Sequence, residues 1–194
     1  IKQTTMKKNL YFNALAISIM IIVVSSCQKE PKIINEEELI TTVVLSVQKF
    51  GSSTTQQFTF NDPDGVGGIP ATVDSIIIEK AAQYNVSITL LNTSMPDIDT
   101  LSNEVLDEGD LHQFFYSSTT NVLSGFTYLA PNDLNGNPIG LNFSMDTWNW
   151  ELNGLFKITL RHAPNKNGVG VNTGDITNAN GETDIEVEFP VRIY

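Results

Sequence analysis

Tyr84-Asn85-Val86-Ser87-Ile88-Thr89-Leu90 decides the fold. Apolar residues hold every second position. An extended chain therefore puts Tyr84, Val86, Ile88 and Leu90 on one face and Asn85, Ser87 and Thr89 on the other. The stretch predicts a half-buried β-strand. The same period of two recurs along the chain. Ile40 to Val47 is rich in Thr and Val, and Phe58 and Phe60 alternate with Gln57 and Thr59. Leu141, Phe143 and Met145 alternate, as do Phe156, Ile158 and Leu160 against Lys157, Thr159 and Arg161. Ile185, Val187, Phe189 and Val191 alternate with Glu186 and Glu188. Leu111 to Ser117 and Phe126 to Leu129 are aromatic-rich. Within Val73 to Glu79, the run Ile76-Ile77-Ile78 predicts a strand buried on both faces.

Turn residues punctuate these stretches at Asp62-Pro63-Asp64-Gly65, Asn135-Gly136-Asn137-Pro138 and Asn178 to Gly181. Ile98 to Leu106 alone reads as a helix, with Asp99 as its cap and Leu101 and Val105 on its inner side. Eight or nine short strands without strand–helix alternation predict an all-β fold over residues 40–194. The expected architecture is an antiparallel immunoglobulin-like β-sandwich with one short helix. A closed barrel is the competing solution.

The chain ahead of the strands has a different character. Met6 to Cys27 begins with Lys7 and Lys8, continues through the apolar run Leu10 to Val24, and ends in Ser25-Ser26-Cys27. A basic start, a short apolar middle and small residues before the cut describe a secretory signal; the run is too short and wrongly flanked for a membrane span. With cysteine at the cut, the stretch resembles a bacterial lipoprotein signal, which implies an acylated Cys27 as the new N-terminus and a lipid bilayer as its partner. Ile1 to Thr5 read as residues upstream of the signal. The expected organisation is a cleaved signal through residue 26, a polar tether over 27–39 and the sandwich from 40.

Removing 26 of the 194 residues leaves 168, enough for one domain. The full chain carries −11, and the signal removes three lysines and no acid, leaving −14. A surface this acidic repels nucleic acid, so no nucleic-acid partner is expected. Cys27 is the only cysteine. Its acylation leaves no thiol for disulfides, zinc–thiolate sites or cysteine nucleophiles.

No Gly-x-Ser-x-Gly, phosphate loop or His-Glu-x-x-His occurs, and the chain reads as a non-catalytic binding module. Three constellations carry candidate chemistry. His112 and His162 are the only histidines. One opens a strand and the other closes one, so antiparallel strands would bring them to the same rim beside Glu108 and Asp110. Two imidazoles with carboxylates suit a divalent metal; over a floor of Phe114, Tyr116 and Phe126 they suit haem. Asp62 and Asp64, echoed by Asp133-Leu134-Asn135-Gly136, alternate oxygen ligands before a glycine in the manner of a calcium loop, though Asp, Pro and Gly are equally the residues of ordinary turns. Trp148 and Trp150 lie two apart; on a strand they would project together as a stacking platform for carbohydrate, while a core or loop anchor is the plainer role for each.

Glu36 to Val43 (EEELITTV), Asp62 to Gly68 (DPDGVGG), Ala81 to Asn92, His112 to Tyr116 (HQFFY) and Arg161 to Lys166 (RHAPNK) together resemble a family of small Bacteroidota outer-membrane lipoproteins. The resemblance implies a lipid-anchored, outer-membrane location, with exposure at the cell surface suggested by Gln28-Lys29-Glu30. It also implies a role beside a TonB-dependent uptake receptor. A metal- or haem-binding protein and a structural, adhesive or carbohydrate-binding envelope module are the other functions expected.

Overall fold

Each alternating stretch finds a neighbouring strand. The computed structural model describes residues 39–65 and 67–194. Cys27, the signal and the tether as far as Glu38 lie outside the described residues. The elements are β1 (Thr42–Lys49), β2 (Thr55–Asn61), β3 (Thr72–Val73), β4 (Ile76–Ile78), β5 (Gln83–Leu91), α1 (Ser102–Asp107), β6 (His112–Ser118), β7 (Leu123–Leu129), β8 (Asn142–Thr147), β9 (Leu152–His162) and β10 (Glu182–Ile193). They form two sheets, a six-stranded one in the order β3-β2-β1-β5-β8-β7 and a four-stranded one in the order β4-β10-β9-β6. The fold is the expected all-β sandwich, in two sheets rather than a closed barrel. Every ladder is antiparallel except that of β4 beside β10.

Alternation dictates the core. Val43, Leu45 and Val47 of β1, Val86, Ile88 and Leu90 of β5, and Phe143 and Met145 of β8 point inward from one sheet. Phe114 of β6, Phe156, Ile158 and Leu160 of β9, and Val187, Phe189 and Val191 of β10 answer from the other. The sheets interlock through aromatic rings. Tyr116 stacks on Phe143 with centroids 4.0 Å apart, and Phe126 stacks on Phe156 at 5.4 Å.

Two local expectations fail. The Ile76-Ile77-Ile78 strand is not buried on both faces: as the edge of its sheet it buries Ile76 and Ile78 and leaves Ile77 47% exposed. The helix starts at Ser102 rather than near Ile98, and Asp99 does not cap it. The backbone of Asp99 bridges to Asn92 instead, with bonds of 3.0 and 3.1 Å, and that bridge holds the chain extended there. Leu101 and Val105 are buried as expected. No helix among the described residues is long and apolar enough to cross a membrane.

Strand direction sorts the connections into two kinds. At one end lie the short turns β1–β2, β4–β5, β6–β7 and β8–β9. At the other lie the long connections, residues 62–71, 92–111, 130–141 and 163–181. β6 starts, β9 ends and β10 starts at this second end, where the histidines sit.

Phe156→Ala empties a fully buried site against Phe126 and Phe143. It is expected to lower the unfolding free energy by about 3–5 kcal/mol, read as a drop in urea midpoint at unchanged slope. Leu134→Ser, at an exposed loop tip, is expected to stay within about 0.5 kcal/mol of the parent.

Candidate metal centre

His112 and His162 face each other directly across the β6–β9 ladder. Both occupy core-facing positions, continuing the faces of Phe114 and Leu160, but at the last register position before the long loops. Their rings meet edge to face with centroids 4.8 Å apart, and His162 Nδ1 lies 3.1 Å from His112 Nε2. The sequence expectation that a strand start and a strand end bring the two imidazoles to one rim describes this geometry.

The third member is Asp184, on the next strand over. Its Oδ2 lies 3.7 Å from His112 Nε2. One ligand atom from each of the three residues falls within 4.8 Å of the others. Asp184 gets there through a β-bulge. Along the β10–β9 ladder Thr183 pairs with Arg161 and Ile185 with Leu160, so Asp184 is the extra residue between them. A bulge of this kind re-aims a side chain that strict alternation would send to the outer face. The turn behind it is tight, with Ala163 and Asn180 in the left-handed region and Gly181 placed where a Cβ would collide with the carbonyl oxygen of His162.

The tautomers follow from the hydrogen bonds. His112 Nδ1 lies 3.1 Å from the carbonyl oxygen of Glu108, which can only accept, so Nδ1 carries the proton and Nε2 presents its lone pair to the cluster. A backbone carbonyl behind a histidine is the usual support for a metal ligand, because it fixes ring orientation and tautomer. His162 Nδ1 then donates to His112 Nε2. Burial holds the His112 imidazole below its ordinary pKa; the Glu108 carbonyl and the Asp184 carboxylate pull the other way and do not overcome it. The ring is therefore neutral at pH 7.

Glu108 and Asp110 were the carboxylates expected beside the histidines. Neither side chain joins the cluster among the described residues. Both are exposed. Glu108 contributes its main-chain oxygen, and Asp110 lends a favourable charge to Lys166. Asp184 was not anticipated. By parity it belongs with Glu182, Glu186 and Glu188 on the outer face; the only signal for it is its place before the first apolar residue of a strand that starts where the His162 strand ends.

Haem does not fit. The two histidines are opposed on neighbouring strands about 5 Å apart, which leaves no room for a macrocycle between them. The expected floor is also elsewhere in function, since Phe114 is fully buried and Tyr116 and Phe126 are spent in the stacks that join the sheets.

The calcium candidates are turns. Both oxygens of Asp64 accept the Ile69 amide, at 3.1 and 2.9 Å, which closes the loop after it. Asp62 and Asp64 belong to no group of three metal-ligating side chains among the described residues. At the echo, Asp133 accepts the amides of Asn135 at 2.9 Å and Asn137 at 2.8 Å and pairs with the buried ammonium of Lys166 at 3.1 Å. Lys166 also donates to the carbonyls of Gly109 and Pro138. A lysine thus takes the place a calcium ion would need. Trp148 and Trp150 lie in the β8–β9 turn rather than on a strand, with rings stacked 4.9 Å apart.

Comparison of the chain with protein-family models, with curated proteins and with solved structures finds no match in any of the three.

Burial pushes the Asp133 carboxyl up, but the Asn137 amide and the Lys166 ammonium pull it further down, and it ends below the ordinary carboxylate range. A folded pKa below the unfolded one means that this stabilisation is complete above about pH 4 and is lost as pH falls through the folded value. Tm is expected to decline on acidification below about pH 4. Asp133→Asn is expected to start from a lower Tm, because Lys166 loses its partner, and to show a shallower acid decline.

Proposed function

We propose that this chain is a lipid-anchored envelope protein whose sandwich domain captures a divalent transition metal at His112, His162 and Asp184. The observation that carries the metal reading is the convergence of the two imidazoles and one carboxylate at a single point of the rim, with His112 oriented from behind by a carbonyl.

The dimensions suit an ion such as zinc. A tetrahedral zinc with bonds of about 2.0–2.1 Å sets its nitrogen ligands about 3.3 Å apart. The nitrogens here are 3.1 Å apart, close to that separation. Asp184, 3.7 Å from His112 Nε2 in a group of ligand atoms that spans up to 4.8 Å, must close in to complete the set. For Nδ1 to act as a ligand His162 would switch tautomer, with the Nδ1 proton passing to solvent and Nε2 taking one up, and the metal would replace the hydrogen bond that now joins the rings. Two nitrogens and one oxygen favour zinc, iron(II), cobalt, nickel or copper over calcium and magnesium, which take oxygen. Three protein ligands leave a position open for water or for a group on a partner, which suits a protein that passes its metal on.

The basic, apolar and small-residue signal before Cys27 supports the anchor, and the likeness to outer-membrane lipoproteins supports the location. A TonB-dependent receptor in the same membrane is the partner that such an anchored metal binder would serve.

Calorimetric titration of the full chain with zinc chloride is expected to give one site per chain. His162→Ala and Asp184→Asn are each expected to weaken it by at least about tenfold, the smallest loss seen when even an outer-shell partner is removed. Saturating metal is expected to raise Tm; at 100 times the Kd the gain is about 2.7 kcal/mol. Equal zinc affinity in the parent and in the His112→Ala, His162→Ala double variant would overturn the metal reading.

The anchor is tested separately. In the bacterial host, Cys27→Ser is expected to abolish fatty-acid labelling and to move the protein out of the detergent phase. Unchanged labelling removes Cys27 from the account.

A further inference from the structure

The opposite end of the sandwich carries a second site, independent of the metal reading. We infer that the Trp148–Trp150 stack is a binding platform for a neutral pyranose sugar.

The two indoles do different work. Trp148 is the anchor. Its Nε1–H donates to the carbonyl of Asn121 at 2.6 Å, and its own carbonyl accepts the Ala81 amide at 2.6 Å. It is thereby tied both to the β6–β7 turn and to the β4–β5 turn. The first of these turns is itself braced. Thr120 Oγ1 donates to the Asn153 carbonyl at 3.1 Å, and Thr119 Oγ1 accepts the Leu155 amide at 2.8 Å. Thr120, Asn121 and Ala81 all sit in the left-handed region, which non-glycine residues enter only where surrounding contacts compel it.

Trp150 is the presented surface. It lies against Trp148 with centroids 4.9 Å apart and an interplanar angle of 13°, so it stacks on a ring that is itself held by a hydrogen bond to the Asn121 carbonyl. Trp150 nonetheless stays 50% exposed. An indole whose only task was to fill a turn would bury more than this, because its large apolar area is worth hiding from water.

The surroundings select the ligand. Asn149 and Glu151 flank Trp150 in sequence and are exposed, and Lys80 reaches Glu151 at 3.4 Å. A lipid or an apolar protein face laid on Trp150 would strip water from this amide, carboxylate and ammonium without pairing them, which is costly. A nucleic acid would bring phosphates to a strongly acidic chain. A pyranose avoids both penalties. Its C–H face would rest on the negative face of the indole, and its hydroxyls can both donate and accept, so they can pair with the exposed polar groups that neighbour Trp150 in the chain. Lys80 is already paired with Glu151, at 3.4 Å, and the carboxylate beside Trp150 favours an uncharged sugar over a uronate.

The test uses the full chain in detergent with four uncharged soluble glycans: laminarin, hydroxyethylcellulose, dextran and galactomannan. Native gels cast with each glycan are expected to retard the protein in at least one case. The matching tetrasaccharide is expected to shift the tryptophan emission to saturation below about 10 mM, the range in which single-platform contacts operate. Trp150→Ala is expected to weaken the interaction at least tenfold while leaving Tm unchanged, and Trp150→Phe to retain part of it. Should Trp150→Ala unfold, Asn149→Ala together with the indole N–H shift of Trp150 on titration reads the same contact. Retention of binding in His162→Ala is expected, since the two sites lie at opposite ends; zinc binding is scored apart from it. No retardation in any of the four gels, or equal affinity in the parent and Trp150→Ala, would overturn the platform.

Discussion

Two aromatic stacks across the sandwich, Tyr116 on Phe143 and Phe126 on Phe156, are the constraint on which the rest of the structure depends. In each, one ring comes from each sheet, so the stacks act as spacers as well as glue. Sheets packed face to face stand about 10 Å apart, and rings of this size span that gap. The described residues contain no cysteine, so packing and hydrogen bonds such as that from Tyr128 Oη to the Phe114 carbonyl, at 2.6 Å, hold the sheets together there. With spacing and registers set, the rims of the sandwich have definite geometry. A polar cluster on a rim can then be pre-organised without a covalent brace.

That arrangement explains where the chemistry is allowed to sit. His112 and His162 belong to the inward faces of their strands, a place where unpaired imidazoles would be costly two residues deeper. They stand at the final rung instead, where the long connections gather, with His112 buried and His162 and Asp184 partly exposed. The short turns at the other end bear the tryptophans. One end is thus built from loops that bring side chains together, the other from tight turns that hold one ring against another. Both ends carry non-glycine residues in the left-handed region, Ala163 and Asn180 near the histidines and Ala81, Thr120 and Asn121 near the tryptophans.

Period-two alternation is a property of single strands, and everything that depends on it alone is legible in the sequence. The strands, the inward face of each and the meeting of a strand start with a strand end all follow from parity. What breaks parity is not legible. Asp184 carries the parity of the outward acids beside it, and only the bulge against Arg161 and Leu160 turns it to the cluster. The Ile76-Ile77-Ile78 run looks doubly buried because sequence does not say that the strand is an edge. Spacing of two predicts a shared strand face for Trp148 and Trp150, yet a turn stacks them by another route. Glu108 was singled out for its carboxylate and serves by its carbonyl, a group that every residue has and no composition reveals.

The acids explain why a chain this negative still reads as a nitrogen-ligand metal site rather than a calcium one. A hard cation needs several oxygens converging on one point. Asp133 with the carbonyls of Gly109 and Pro138 is such a convergence, and Lys166 fills it with the chain's own ammonium. Asp64 gives both oxygens to a backbone amide, and Glu186 and Glu188 share Lys157. The oxygen-rich places are therefore satisfied internally. Among the described residues the one group of three metal-ligating side chains is the histidine pair with Asp184. Under the proposed reading, a borderline cation that prefers imidazole would meet three converging donors there, whereas a hard one would have to displace a lysine or a backbone hydrogen bond. Under the proposed reading, selectivity against the abundant hard cations would then rest on the imidazole nitrogens, with the oxygens of Asp64, Asp133, Glu186 and Glu188 already engaged by partners within the fold.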